Sequence, residues 1–296
     1  MNTPESAKQT TPVGIVNVHK PPGITSRAAV DVVKRLVRPA KSGHAGTLDP
    51  LASGLLIVCV GAATRLIEYV QAMRKRYTGT FLLGRESDTE DIEGQVSLRD
   101  GDRQPTHEEV CAAAAQLVGC IEQRPPAYSA LKVGGRRAYD LARAGRTVTL
   151  APRPVTVYRL DVVRYAYPEV VLEVECGSGT YVRSLGRDLA ASLGTAAIMS
   201  ALVRTAIGPF ELSRARLPES LTRENRQEWL EPPLRAVAAL AQVTLSPAEL
   251  ARLRQGLSVE SAVRAVGEIA AVDENGRLIA ILAAGDGMLR PVRNLL

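Results

Sequence analysis

The stretch Gly43-His44-Ala45-Gly46-Thr47-Leu48-Asp49-Pro50-Leu51-Ala52-Ser53-Gly54 places a single carboxylate, Asp49, in a segment with three glycines and a proline. Glycine admits backbone conformations that other residues avoid, and Pro50 biases Asp49 away from the α region. The segment reads as a constrained loop. Directly after it, the apolar run Leu55-Leu56-Ile57-Val58-Cys59-Val60 reads as a buried strand. An acid with a histidine nearby thus stands on a loop at the edge of a core strand, where catalytic groups concentrate. An Asp-Pro pair is equally a turn or helix-cap device, and these residues alone leave both readings open.

Working outward, Gly14 to Val18 reads as a strand ending in the non-helical turn His19-Lys20-Pro21-Pro22-Gly23. Ser26 is expected to cap a helix over about 27–37, with Ala29, Val32, Val33 and Leu36 on one face. Downstream, a helix is expected over about 62–72 and a strand over 77–83. Residues 86–109 hold nine acids against two arginines and read as a solvated loop. It is not a calcium loop, because Ile92 falls where an EF-hand begun at Asp88 needs its third ligand. Thr106, with Glu109 three residues on, marks a helix over about 106–118 by a capping box. Strands at about 155–165 and 169–176 alternate as an antiparallel pair. Gly177-Ser178-Gly179-Thr180-Tyr181-Val182-Arg183-Ser184-Leu185 then turns into a helix running to about Ser192. The polar, proline-containing stretch Ser213 to Pro233 reads as a connector. Residues 243–296 look separate, with a helix over 247–255 and strands at 268–272, 277–283 and 288–294.

Between Gln123 and Pro154 the composition turns basic: Arg124, Lys132, Arg136, Arg137, Arg143, Arg146 and Arg153 stand against Asp140 alone. Pro125, Pro126, Tyr128 and Tyr139 interleave with these cations. Charge for phosphates and flat faces for bases suit an RNA surface. A solvated basic helix fits the same residues.

Three pieces of text, at 43–54, at 125–145 and at 177–185, resemble the bacterial TruB-type tRNA pseudouridine synthases, which isomerise the uridine of the TΨC loop. The likeness covers roughly residues 14 to 210 through several independent motifs. It implies an α+β fold, with a mixed, largely antiparallel sheet flanked by helices, followed by a small PUA-like β domain. The expected division is a disordered tail over 1–12, a catalytic domain over 13–240 with an RNA-contacting insertion at about 123–154, and an RNA-binding PUA-like domain over 241–296. Two departures stand out. The turn at 17–20 reads Asn17-Val18-His19-Lys20, where the family usually has an Asp before the Lys, and Leu202-Val203-Arg204-Thr205 has Val203 where a second Arg is usual.

Converting uridine to pseudouridine breaks a C–N glycosidic bond and forms a C–C bond at the same sugar carbon. Every atom is retained, so no redox cofactor or energy source is required. The chemistry asks for a carboxylate, a cation that favours its charged form, and a dry pocket for the freed base. The resemblance makes Asp49 the essential carboxylate and Arg183 its partner. It makes Tyr77 the ring that stacks on the target base and can accept a proton during rearrangement. Lys20 would lie near the active site, and Tyr181 and Leu202 would line the uracil pocket. His44 would enter the T-loop where the flipped uridine had been, recovering part of the stacking lost on flipping. Arg124, Lys132, Arg136, Arg137 and Arg143 would contact RNA. No metal is expected. The competing reading is a non-catalytic RNA-binding protein or tRNA-folding chaperone of the same fold.

Composition agrees with a globular chain. Of 296 residues, 46% are hydrophobic and 23% charged, and the net charge of +6 favours a polyanionic partner. Of 37 basic residues only six are lysine, which suits phosphate recognition and equally fits codon bias. The N-terminal dozen lacks the apolar core of a signal peptide or anchor, and no run approaches a membrane span. The four cysteines are widely spaced without a Cys-x-x-Cys pair, so reduced thiols in a cytoplasmic protein are expected, with no zinc site. The tRNA T-arm is the expected partner, and a monomer suffices.

Overall fold

The computed structural model describes residues 11–99, 103–129, 131–133, 135–143, 150–260, 267–285 and 287–295. Most of the tail expected over 1–12 therefore lies outside the described residues, as do the side chains of Lys132, Arg136, Arg137 and Arg143.

A nine-stranded sheet dominates. Its order is β1 (Gly14–Lys20), β3 (Ser53–Val60), then Ala197–Ile207, β4 (Lys75–Leu83), Glu169–Cys176, Arg153–Ala166 and Gly119–Gln123. The short strand β2 (Ser42–His44) pairs with β3, and Phe210–Glu211 with Ala197–Ile207. All junctions are antiparallel except one. Val203 and Arg204 run parallel to Ser53 and Gly54, so the loop before β3 lies against the strand Ala197–Ile207. That long strand has no counterpart in the sequence reading, although it joins the two halves of the sheet. Its Ser-Ala-Leu-Val-Arg-Thr-Ala text mixes polar and apolar residues without clear alternation, so only its neighbours identify it.

The helix α1 (Ser26–Val37) turns Ala29, Val30, Val33 and Val37 onto Val16, Val18, Leu56, Val58 and Val60 of the sheet. Burying each such side chain contributes about 1.5–3 kcal/mol. Its cap is Thr25, whose hydroxyl accepts from Ala28 N at 3.1 Å, rather than Ser26. Ser26 has another task, described below. The expected 62–72 helix is a 3-10 segment, Gly61–Leu66, continued by α-helix over Ile67–Ala72. The helix His107–Gln116 has its capping box as expected. On the other face, Val182–Ser192 approaches β4 closely, because Gly186 lets the Phe81 ring lie where a Cβ would collide with it.

Two expectations are corrected. The acidic stretch is not simply a solvated loop. It folds into a small hairpin, Arg85–Glu86 with Ser97–Leu98, and Asp91 between them is 3% exposed. Nor is Ser213 to Pro233 a free connector. Backbone bonds from Arg216 to Asn17 and His19, and from Glu231 to Ile15, lay it along the edge of β1, and Trp229 is buried.

The C-terminal five-stranded sheet runs Ala241–Thr244, Gly267–Val272, Leu278–Gly285, Met288–Asn294 and Val259–Glu260, with the helix Pro247–Arg254 beside it, compatible with the expected PUA-like unit. Ala270, Leu278, Ile281 and Leu295 share one apolar cluster with Ile15, Leu55, Leu66 and Phe210 of the larger sheet. All four cysteines are free, and burial pushes the Cys59 thiol up to about 12. No helix among the described residues is long and apolar enough to cross a membrane.

Candidate active site

Asp49 sits on the connection between β2 and β3, and that connection is fastened from both sides. Ser26 Oγ donates to Leu48 O and accepts from Leu48 N, both at 2.8 Å. Gly23 N donates to Pro50 O at 2.8 Å, and Ala45 N to Ile57 O at 2.9 Å. Opposite, Arg204 is 2% exposed and spends its guanidinium on carbonyls: Leu55 O at 2.8 Å, Gly46 O at 3.1 Å and Thr47 O at 3.5 Å. Gly54 makes this approach possible. With φ of +104° it occupies left-handed space, and a Cβ there would collide with the Arg204 backbone. The loop is thus a fixture of the sheet, and Asp49 projects from it.

The cation that meets Asp49 comes from the first turn of Val182–Ser192. Arg183 Nη2 lies 2.9 Å from Asp49 Oδ2 and also donates to Tyr128 O at 2.9 Å. Its Nη1 donates to Thr89 O at 2.8 Å and to Asp91 Oδ2 at 3.2 Å. One buried guanidinium therefore joins the Asp49 loop, the acidic hairpin and the start of the basic insertion. Asp91 is itself held, since its Oδ1 accepts from Thr89 Oγ1 at 2.5 Å and from Glu93 N at 3.1 Å.

One turn further, Arg187 repeats the pattern. It pairs with Glu90 at 2.6 Å and donates to Arg124 O at 2.8 Å. Glu90 has a φ of +62°, uncommon outside glycine, and Ser184 Oγ also holds its carboxylate at 3.1 Å. Two arginines four residues apart thus fasten adjacent acids of the hairpin and two carbonyls at the root of the insertion.

Tyr77 on β4 lies opposite Arg204 in register and packs against the cluster containing Leu48, Leu202 and Val182. Burial pushes its hydroxyl above the usual tyrosine range, with Arg204 pulling the other way. Leu202 is buried in that same cluster. Tyr181 caps the helix that carries Arg183. Its N–H donates to Gln123 Oε1 at 2.8 Å, and its carbonyl accepts from Gln123 Nε2 at 3.1 Å. His44 ends β2 half-buried, and burial holds its pKa below the usual histidine value. Lys20 is fully buried, and its amine donates to Pro21 O, Ile24 O and Pro50 O at 2.9, 2.7 and 3.4 Å. In that position it braces the Asp49 loop and presents no charge outward. Burial pushes the amine down to about 8. The Arg124 side chain is exposed at the start of the basic insertion.

The structure brings Asp49 and Arg183 together and sets Tyr77 and Leu202 in the cluster that contains Leu48, with His44 on the neighbouring strand end and Tyr181 at the start of the helix that carries Arg183. Sequence reasoning missed Asp91, Glu90, Arg187 and Arg204. Arg204 had a signal, since it directly follows Val203 in the text Leu202-Val203-Arg204-Thr205, but burial of a cation against carbonyls leaves no pattern. Asp91 had none, being one acid among nine. Among the described residues no group of His, Cys, Asp and Glu is arranged to hold a metal ion.

Residues 34–182 match the family described as TruB family pseudouridylate synthase (N terminal domain). A tRNA pseudouridine synthase B from Bradyrhizobium diazoefficiens is 42% identical over 294 residues, spanning 95% of this chain and 85% of the relative. The chain belongs to the TruB family. Another TruB relative, the tRNA pseudouridine synthase B of Dehalococcoides mccartyi, is 38% identical, and the match spans 95% of each chain. Among solved structures, a chain of a Cbf5-Nop10-Gar1 complex shares the fold with a TM-score of 0.74 at 24% identity, covering 96% of this chain and 85% of that one. An H/ACA RNP bound to a substrate RNA containing 2'-deoxyuridine gives 0.73 at 21% identity, over 96% and 85%. At these identities the likeness is of fold, and it spans both sheets of the TruB-family chain.

Proposed function

We propose that the protein isomerises uridine 55 in the TΨC loop of tRNA to pseudouridine, with Asp49 as the carboxylate that carries the reaction. The observation that supports this most is the placement of Asp49. It is an acid on a braced loop, 2.9 Å from a buried Arg183 whose two terminal nitrogens also hold Thr89 O, Asp91 and Tyr128 O. A fixed cation beside a carboxylate keeps the reacting oxygen in place without rearrangement during the step. The name tRNA pseudouridine synthase B, borne by relatives about 40% identical along most of the chain, supplies the substrate class.

In this reading the uridine leaves the T-loop stack and its base lies between Tyr77 and Leu202, with Tyr181 alongside. The C–N bond to the sugar breaks with Asp49 at the electron-poor centre. The detached base turns in the site, its C5 bonds to the same sugar carbon, N1 takes up a proton, and the C5 proton is lost to solvent. Burial raises the Tyr77 hydroxyl above the usual tyrosine range and so keeps it a protonated phenol, and Tyr77 serves as a stacking surface. His44, kept neutral by burial, fills the vacated position in the loop. The root of the basic insertion, tied to Arg183 and Arg187, carries Arg124 and the neighbouring cations toward the T-arm backbone. The protein acts as a cytoplasmic monomer, divided near residue 240 into the catalytic unit and an RNA-binding PUA-like domain.

A tRNA transcript tritiated at uridine C5 tests the reading. Wild type should release tritium from position 55, and Asp49→Asn should bind the same RNA without release. Intact binding with no release by wild type would replace the enzyme with a non-catalytic RNA chaperone.

A further inference from the structure

Positive charge is not spread evenly over this chain. Residues 26–41 carry five cations and one carboxylate, and residues 123–154 carry seven and one. Outside these two segments acids outnumber bases by four. The second segment is the insertion rooted at Arg183 and Arg187. The first is α1 with its exit, to which nothing so far has given a partner.

Both segments reach the site. The insertion does so through Tyr128 O on Arg183. The other does so through Ser26, the first residue of α1, which clasps Leu48 beside Asp49. From that start α1 turns its valines inward and its cations outward. Arg27, Asp31, Lys34 and Arg38 follow at spacings of four, three and four, which forms one line along a helix, with Arg35 beside it. Arg27 pairs with Asp31 at 3.1 Å, and it is close enough to His44 to act on that ring. Lys34, Arg35, Arg38 and Lys41 are exposed, and among the described residues none has a carboxylate partner. A face that met only water would gain from acids one turn away, yet Asp31 is the single acid between Ser26 and Lys41, and it is already paired with Arg27. At 1.5 Å per residue the line from Arg27 to Arg38 spans about 16 Å, or about five steps of a nucleic-acid strand at about 3.4 Å each.

We propose that the outer face of α1 is a second phosphate-binding surface, which holds the backbone of the helical stem next to the nucleotide delivered to Asp49. This rests on the reading of RNA as substrate. The stem is then held along α1, whose first residue clasps the loop that carries Asp49.

The test compares binding of a full-length tRNA transcript by wild type, by Lys34→Gln/Arg38→Gln, and by a control, Arg103→Gln/Arg164→Gln. The control removes the same charge where each arginine already has a carboxylate, Glu109 and Glu169, near the end of the sheet remote from α1. Dissociation constants are measured from about 50 to 300 mM salt. Each lost phosphate contact lowers the slope of log K against log salt by about 0.7–0.9. The α1 variant should therefore lose between about one and two units of slope and bind at least about tenfold more weakly near 0.1 M salt. The control should stay within about twofold of wild type, and thermal unfolding of both should match it. An unchanged slope for the α1 variant overturns the proposal. An equal loss in the control also overturns it, since RNA would then sense only overall charge. Failure of wild type itself to bind tRNA removes the underlying substrate reading, and this is visible before any variant is compared.

Discussion

The guanidinium of Arg183 lies 2.9 Å from the Asp49 carboxylate, yet 6% of the arginine side chain is exposed against 40% of the aspartate. The cation is the fixed member of the pair and the acid the accessible one. Three further acceptors hold the guanidinium from behind, so its orientation does not depend on Asp49. Because one member is substantially solvated, the pair adds little to stability, and its use lies in aiming the carboxylate.

This geometry makes Arg183→Lys a severe change despite the retained charge. A lysine amine cannot span the carbonyls of Thr89 and Tyr128 and two carboxylates at once. Single-turnover tritium release at saturating tRNA should fall by about 100-fold, the scale of loss for an ångström of misplacement. A rate within about threefold of wild type would show that charge alone suffices.

Asp91 should matter although it faces no substrate. Asp91→Asn leaves buried Arg183 with one charge fewer, and losing a partner from a buried pair costs about 3–5 kcal/mol. Urea unfolding should shift accordingly, and tritium release should drop with it. Glu93→Gln, exposed on the same loop, should stay within about 0.5 kcal/mol of wild type. Equal stability of the two variants would remove Asp91 from the network.

Arg204 and Gly54 should act together. Arg204→Met deprives the carbonyls of Gly46, Thr47 and Leu55 of their donor, each loss worth about 1–3 kcal/mol when buried. Gly54→Ala places a methyl group against the Arg204 backbone, at 2.7 Å from its nitrogen, in a conformation alanine avoids. Both variants should unfold at lower denaturant and show faster amide exchange over 45–52. An unaltered midpoint for Gly54→Ala would mean that β3 and its parallel neighbour can separate without penalty.

His44 supplies a pH dependence with a definite sign. Its folded pKa lies below the unfolded value near 6.5, chiefly through burial. The unfolded chain therefore binds more protons just below that pH, so the stability from neutral His44 is present above 6.5 and is lost on acidification. Urea midpoints at pH 7.5, 6.5 and 5.5 should fall more for wild type than for His44→Gln. Parallel profiles would show that the ring titrates as freely in the folded state as in the unfolded one.

The core elements were legible because each carries its own signal. The apolar run of β3, the Thr106 cap and the alternation over 155–176 need no partner to be read. The family resemblance singled out Asp49, Tyr77 and Arg183 as candidates, and the fold adds the contact between Asp49 and Arg183. The acidic hairpin was misread because nine acids together look solvated, and nothing local distinguishes the one that becomes buried. The strand Ala197–Ile207 was missed because a central strand takes its pairing from both neighbours rather than from its own alternation.

By itself the sequence determined the family and the largely antiparallel sheet, and it singled out Asp49 as the candidate carboxylate. Motif text and hydrophobic period are properties of neighbouring residues, so they survive without coordinates. The tertiary structure alone decided what surrounds that carboxylate. Asp91 lies 92 positions from Arg183 and Arg204 lies 158 from Gly46, and pairs so distant meet only when the chain is folded. It also placed Lys20 as a buried brace beside the Asp49 loop, because burial depends on what packs over a side chain and not on which residue it is.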